Sequence, residues 1–268
     1  MNFLAHFAFA LSLTSPLIHM GPVSSISACI DERPWIPYTN PDLEKPGTMQ
    51  ILVAYASRDL NVRLKVEALP WKRCLADVRS GRIDAAIGAS DAPFILQFAE
   101  FPRLIGSETS DTNRSLGTAR IMLVKRIESS IDWDGATLTH LKKPIGTAMG
   151  TQAMRTAVLK FGGAVDDAAR TDDQNLRKLL LDRVDLMAGY EFDLEEIIRT
   201  SYEGKVAILS TPLLESHYYL AFSKTFYRKH PALAETFWNK IANLRLGYHP
   251  ARDFTQEDLT FTSRRSLH

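Results

Sequence analysis

SGRIDAAIGAS, residues 80–90, returns in altered form 101 positions later as LDRVDLMAGYE, residues 181–191. Arg82 falls on Arg183, Asp84 on Asp185 and Gly88 on Gly189, while upstream Leu75 falls on Leu176 and Val78 on Leu179. Each copy reads as the end of a helix, a tight turn and a short strand of mostly apolar or small residues. Such a strand suits burial on both faces, the habit of parallel strands covered by helices. A chain that repeats this helix–turn–strand corner is expected to hold two α/β units.

The flanking segments extend both units. CIDERPWIPYT starts as a strand at Cys29 and breaks at Pro34 and Pro37, which leaves Trp35 and Tyr38 on the loop at its carboxyl end. GTMQILVAYASRDL has helical spacing, NVRLKVEALP alternates as a strand, and PWKRCLADVRSGR reads as a helix with Trp71, Leu75 and Val78 on one face and Gly81 at its end. The first hundred residues thus alternate β-α-β-α-β, the pattern of a parallel sheet. GTARIMLVKR, residues 117–126, is a longer extended run. A second unit follows: strand KPIGTAMG, helix TQAMRTAVLKFGG, helix DDQNLRKLLLD and strand RVDLMAGYE. KVAILSTPLLESHYYLAFS runs extended again, and HPALAETFWNKIANLRLG closes as an amphipathic helix with Leu233, Phe237, Ile241 and Leu244 on one face. Ligands of open α/β sheets sit beyond the carboxyl ends of the strands. Two facing units would therefore put GASD and GYE on opposite walls of one cleft.

Bulk properties narrow the class. The 268 residues carry a formal charge of +1, with 45% hydrophobic and 24% charged side chains. No basic stripe exists to follow a nucleic-acid backbone. The first 30 residues contain no Asp, Glu, Lys or Arg and include FLAHFAFALSLTSPLI followed by GPVSSISA. This is the pattern of a secretory leader, with cleavage expected after Ala28 and an exported protein as the consequence. The two cysteines, Cys29 and Cys74, leave three alternatives open: a disulfide, a lipid anchor through Cys29 in the ISAC segment, or two free thiols.

Taken in order, LPWKRCLADVRSGRIDAAIGAS, PIGTAMGTQA, LLLDRVDLMAGYE and TPLLESHYYLAFSKTF resemble the bacterial periplasmic solute-binding proteins of the amino-acid (family 3) type over residues 29–247. The resemblance implies a type II periplasmic-binding fold: two α/β lobes with mixed, mostly parallel central sheets, joined by two crossover segments. Lobe 1 would comprise 29–117 plus 215–268, lobe 2 would comprise 118–214, and 1–28 would be the leader. It also implies a monomer in the periplasm that captures a small organic solute between the lobes and hands it to a membrane permease of an ABC-type transporter, with no cofactor.

Carried over residue by residue, the ligand contacts are expected from Trp35, Tyr38, Trp71, Ser90, Asp91 and Phe94 in lobe 1. Lobe 2 is expected to add Gly150, Thr151 and Gln152 at a helix N-terminus, whose free N–H groups favour an anion, together with Tyr190 and Glu191. One departure stands out. The family's arginine, a bidentate clamp for an α-carboxylate, is expected near residues 93–96, where this chain reads PFIL; Arg103, Arg114 and Arg120 are the nearby substitutes. A standard α-amino acid is therefore not the expected ligand.

Two other classes compete. One is a sensory or accessory periplasmic subunit that acts without transport. The other is an enzyme on the same scaffold, as in a cyclohexadienyl dehydratase, with Glu191, Asp91 and Glu32 as its available carboxylates. Against an enzyme, the chain lacks G-x-S-x-G, G-x-G-x-x-G, P-loop and H-E-x-x-H signatures. The cysteines lack zinc spacing, and His217, beside Tyr218 and Tyr219, reads as a crossover-strand residue and not a metal ligand.

Overall fold

The computed structural model describes residues 23, 25–42 and 44–247. Its first alternation is β1 (Ser25–Asp31), α1 (Thr48–Asp59), β2 (Arg63–Leu69), α2 (Trp71–Ser80) and β3 (Ala85–Ala89), followed by the short α3 (Pro93–Leu96) and β4 (Ala99–Glu100). The long strand β5 (Gly117–Arg126) leads to a small ribbon, β6 (Asp132–Trp133) and β7 (Leu138–Thr139). The second alternation is β8 (Ile145–Gly146), α4 (Gln152–Lys160), β9 (Val165–Asp166), α5 (Asp172–Leu180) and β10 (Leu186–Tyr190). After α6 (Glu191–Ile197) and β11 (Val206–Ile208) come β12 (Leu214–Ser223), α7 (Lys224–Lys229) and α8 (Pro231–Gly247).

The strand order β2-β1-β3-β12-β5-β10-β8-β9 shows what the repeat builds. In the first half β1 pairs in parallel with both β2 and β3, and β12 closes the set antiparallel to β3. In the second half β8 pairs in parallel with β9 and β10, and β5 closes the set antiparallel to β10. The halves have the same topology, with β3 matching β10 and α2 matching α5 at the same 101-residue offset. Alternating side chains then feed a hydrophobic cluster on each face. In β5, Ile121 and Leu123 enter one cluster while Met122 and Val124 enter another; in β3, Ala85 and Ile87 are separated from Ala86 and Ala89 in the same way.

The repeated Arg-x-Asp also has a physical role. Both corners turn through a left-handed residue, Gly81 (φ 73°) and Asp182 (φ 55°). The Asp84 carboxylate accepts hydrogen bonds from the Ser27 backbone N–H and hydroxyl, each at 2.8 Å, and so stitches β3 to β1. Asp185 accepts from the backbone N–H groups of Lys142 and Lys143, each at 2.7 Å, just before β8. The repeated glycines do different work: Gly88 has φ 83°, whereas Gly189 is closely approached by Leu194, 3.0 Å from where a Cβ would stand.

Two expectations shift. Residues 25–28, assigned above to the leader, form the first part of β1: Ser25 to Ala28 pair with Arg63 to Val66, and Ile26 and Ala28 are core residues. The folded body therefore starts ahead of the expected cleavage point. The rest of the expected leader through residue 22, and residues 248–268 of the expected lobe 1, lie outside the described residues. In α8, Phe237 and Ile241 are fully buried as expected, but Ala234 and Trp238 share that burial while Leu233 and Leu244 are only partly covered. Trp238 is held inward because its indole N–H donates to the Leu220 carbonyl at 2.8 Å.

Cys29 and Cys74 form a disulfide between β1 and α2. The Cys29 sulfur is thereby committed, so neither the lipid anchor, which needs that sulfur for a thioether, nor the pair of free thiols applies. No described helix is long and apolar enough to cross a membrane.

The bond closes a separation of 45 residues, for which loop entropy gives a stabilisation of about 4 kcal/mol. Urea unfolding of the Cys29→Ser, Cys74→Ser double variant is expected to show a loss of roughly 2–4 kcal/mol. Asp84→Ala and Asp185→Ala should each cost about 2 kcal/mol by the same measurement, since each strips a carboxylate from backbone donors.

Candidate functional site

A cleft of about 770 Å³ opens where the carboxyl ends of the parallel strands in the two halves face each other. From the first half, Asp31 ends β1, Arg33 and Trp35 follow it, Trp71 opens α2, and Ser90, Phe94 and Ile95 follow β3. Gly150, Thr151 and Ala153 after β8 and Tyr190 at the end of β10 come from the second half, and Tyr218 projects from β12. The two helix–turn–strand corners thus face one another across the opening.

Trp35 is the centre of an aromatic cluster. Its ring centroid lies 4.6 Å from Tyr38, 4.6 Å from Tyr218 and 6.1 Å from Tyr190, so one side chain touches residues of both halves. The turn that presents it is closed by paired backbone hydrogen bonds between Trp35 and Thr39, both 2.9 Å, and contains a cis Ile36–Pro37 bond. Tyr38 stands behind Trp35, outside the lining, and its hydroxyl donates to the Thr118 carbonyl at 3.1 Å. Burial raises the Tyr218 hydroxyl well above the usual phenol range; Tyr190 is raised by burial and by the neighbouring Asp193 charge. Both rings are therefore neutral at pH 7 and can donate as well as accept hydrogen bonds.

Of the residues expected at the site, Trp35, Trp71, Ser90, Phe94, Gly150, Thr151 and Tyr190 line the cleft. Tyr38, Asp91 and Glu191 do not. Gln152 is the first residue of α4. Glu191, expected at a strand end, opens α6 instead and is met by Arg120 at 3.3 Å. The Thr151 hydroxyl donates back to the Ala148 carbonyl and makes no cap on α4, which leaves the first N–H groups of that helix without a side-chain acceptor.

The three substitute arginines are spoken for elsewhere. Arg103 pairs with Glu108 (2.8 Å) and Glu100 (3.6 Å), Arg114 with Asp111 (2.9 Å) and Glu235 (2.6 Å), and Arg120 with Glu215 (2.8 Å) as well as Glu191. The cationic side chain that does line the cleft is Arg33, which sequence reasoning missed; its guanidinium is bound 2.8 Å from Asp31. Asp31 and Arg33 were visible as polar neighbours of Trp35 on the loop after the first strand. Tyr218 was hidden by its neighbours: alternation along β12 turns Tyr218 to the cleft and buries Tyr219 against Phe101, 5.6 Å between centroids. No group of three or more His, Cys, Asp or Glu among the described residues could hold a metal ion.

No protein-family model matches the chain, and no curated protein matches it in sequence. Similarity lies in solved structures. The unliganded open L-cystine solute receptor of Neisseria gonorrhoeae is 14% identical, with a TM-score of 0.59 over 83% of this chain and 87% of that one. Substrate-binding domain 2 of Lactococcus lactis GlnP, in open conformation, is 17% identical, with a TM-score of 0.56 over 84% and 90% of the two chains. The periplasmic VFT2 domain of Bordetella pertussis BvgS is 14% identical, with a TM-score of 0.52 over 82% and 87%. The chain thus has the type II periplasmic-binding fold.

At the start of α5, burial raises the Asp172 carboxyl to about 6, with the Asp193 charge adding to the effect, and Asp193 itself is raised by burial. A raised carboxyl costs the fold stability when ionised, and the cost fades as pH falls from about 6 toward the unfolded value of 3.8. Asp172→Asn is therefore expected to melt higher than the wild-type protein above pH 6 and equally near pH 4, as thermal unfolding across that range will show.

Proposed function

We propose that this protein is a periplasmic solute-binding protein that captures a small organic solute between two lobes and passes it to the membrane permease of an ABC-type transporter. The observation that carries this reading is the aromatic-walled cleft at the facing strand ends of two topologically equivalent halves. The solute receptor and the substrate-binding domain that share the fold support it. The lobes in this reading are 25–117 with 215–247, and 118–214. Leader removal accordingly falls before Ser25, because Ile26 is buried and Ser27 bonds Asp84.

The hinge lies where the chain crosses between halves: β5 at Gly117–Thr118 and β12 at Tyr218–Tyr219. Closure there swings Trp35 and Phe94 toward Gly150, Thr151 and Tyr190 around the solute. A second reading, a sensory subunit acting without a transporter, draws support from the BvgS periplasmic domain of the same fold. No catalytic role is assigned: Glu191 is tied to Arg120, and Asp31 to Arg33.

The test is a thermal-shift screen of the exported protein against amino acids, organic acids, polyamines and organic cations. A cognate solute should raise the melting temperature with concentration, by about 2.7 kcal/mol of linkage at a hundredfold excess over Kd. It should also quench or shift Trp35 fluorescence, and Trp35→Ala should remove that signal while the far-ultraviolet circular dichroism stays native. A screen without any stabilising small solute would remove the solute-binding reading.

A further inference from the structure

The charges around the cleft are lopsided. Arg33, the cationic lining residue, is already neutralised by Asp31. Arg120 is shared between Glu191 and Glu215. Asp193 acts electrostatically on Tyr190, Tyr38 and Asp172, so Asp193 lies near the cleft's Tyr190 wall and Asp172 lies near Asp193. Among the described residues neither aspartate has a hydrogen-bonded or ion-paired cation. Among the described residues that line the cleft, no cation is left unpaired.

The lining itself is aromatic: Trp35, Trp71, Phe94, Tyr190 and Tyr218. Phe94 stands 53% exposed, as an apolar wall does when it is uncovered. Trp35 and Tyr190 meet at 55° with centroids 6.1 Å apart, forming a corner whose faces are negative by their π-quadrupoles. Trp35 is packed against both Tyr38 and Tyr218, so the corner is preorganised.

Charged hydrogen-bond acceptors are scarce among the lining residues: the Asp31 carboxylate is taken by Arg33, and Ser90, Thr151, Tyr190 and Tyr218 offer only neutral hydroxyl oxygens. A primary ammonium, with three N–H donors to satisfy, would exchange its water for neutral hydroxyl acceptors without a free carboxylate here. An ammonium whose hydrogens are replaced by alkyl groups needs no acceptor and gains from ring faces within about 6 Å.

We propose that the cleft recognises an organic cation bearing a quaternary or otherwise alkylated ammonium group, held in the corner of Trp35 and Tyr190 with Asp172 and Asp193 supplying the long-range negative field. This inference rests on the solute-binding reading above and names its ligand class.

Calorimetric titration of the exported protein with choline and tetramethylammonium tests it, with 3,3-dimethylbutan-1-ol as the uncharged carbon isostere of choline and with L-glutamine, L-glutamate and L-lysine as comparisons. Choline is expected to bind at least about tenfold more tightly than its isostere, the discrimination a desolvated cation–π contact gives. Trp35→Ala should weaken choline about tenfold or more, and Trp35→Phe should restore most of the loss. Asp193→Asn should weaken it about threefold at low salt and less at high salt. Equal binding of choline and the isostere, or binding of an amino acid without binding of either onium ion, overturns the cation and leaves the solute-binding reading standing. Absence of binding by every solute, including those of the wider screen, removes both.

Discussion

Residues Leu214–Tyr218 of β12 hydrogen-bond to β5, and the next residues of the same strand, Tyr219–Phe222, hydrogen-bond to β3. A single extended segment therefore belongs to both halves, and the register of each half is set from it. The first half hangs β1 and β2 on β3, and the second hangs β8 and β9 on β10. Because the parallel strands of both halves have their carboxyl ends at the crossover, the loops that follow them have nowhere to go but into the space between. The cleft is a consequence of that shared strand.

The aromatic cluster inherits its geometry from the same place. Tyr218 is the last β12 residue paired to β5, and it packs on Trp35 from the loop after β1. Tyr190, at the end of β10, reaches Trp35 from the other half. Tyr38 backs Trp35 and bonds the β5 backbone at Thr118, beside the crossover. The residues that would grip a solute are thus anchored next to the point about which the halves would move, where small rotations change their spacing without breaking the sheets. The disulfide between β1 and α2 adds rigidity to the first half, just beneath the loop that carries Trp35 and the helix that starts at Trp71.

How much was legible in the sequence depends on the range of the interaction concerned. The corners at 80–90 and 181–191 announce themselves because helix periodicity, a left-handed turn residue and an apolar strand are local properties. Asp84 and Asp185 are visible as a repeat, yet their partners, Ser27 and the Lys142–Lys143 backbone, are not, since those bonds join segments far apart in sequence. The aromatic loop at Trp35 and the helix start at Gly150–Thr151 follow from strand-end reasoning. Glu191 and Asp91 do not line the cleft, because the chain turns directly into α6 after Tyr190 and away from the opening after Ser90.

By itself the sequence determined that there are two similar α/β units, which helices and strands compose them, and that no arginine stands where an α-carboxylate clamp was expected. Those properties depend on side-chain periodicity, turn chemistry and residue identity, all carried within a few residues of chain. Only the tertiary structure decided that Ser25–Ala28 belongs to β1, that Cys29 and Cys74 are joined, that Arg114 and Arg120 are consumed by distant acids, and that Tyr218 rather than Tyr219 faces the cleft. Each of these turns on which distant segment lies across from a residue, and that is set by the pairing of β12 with two sheets.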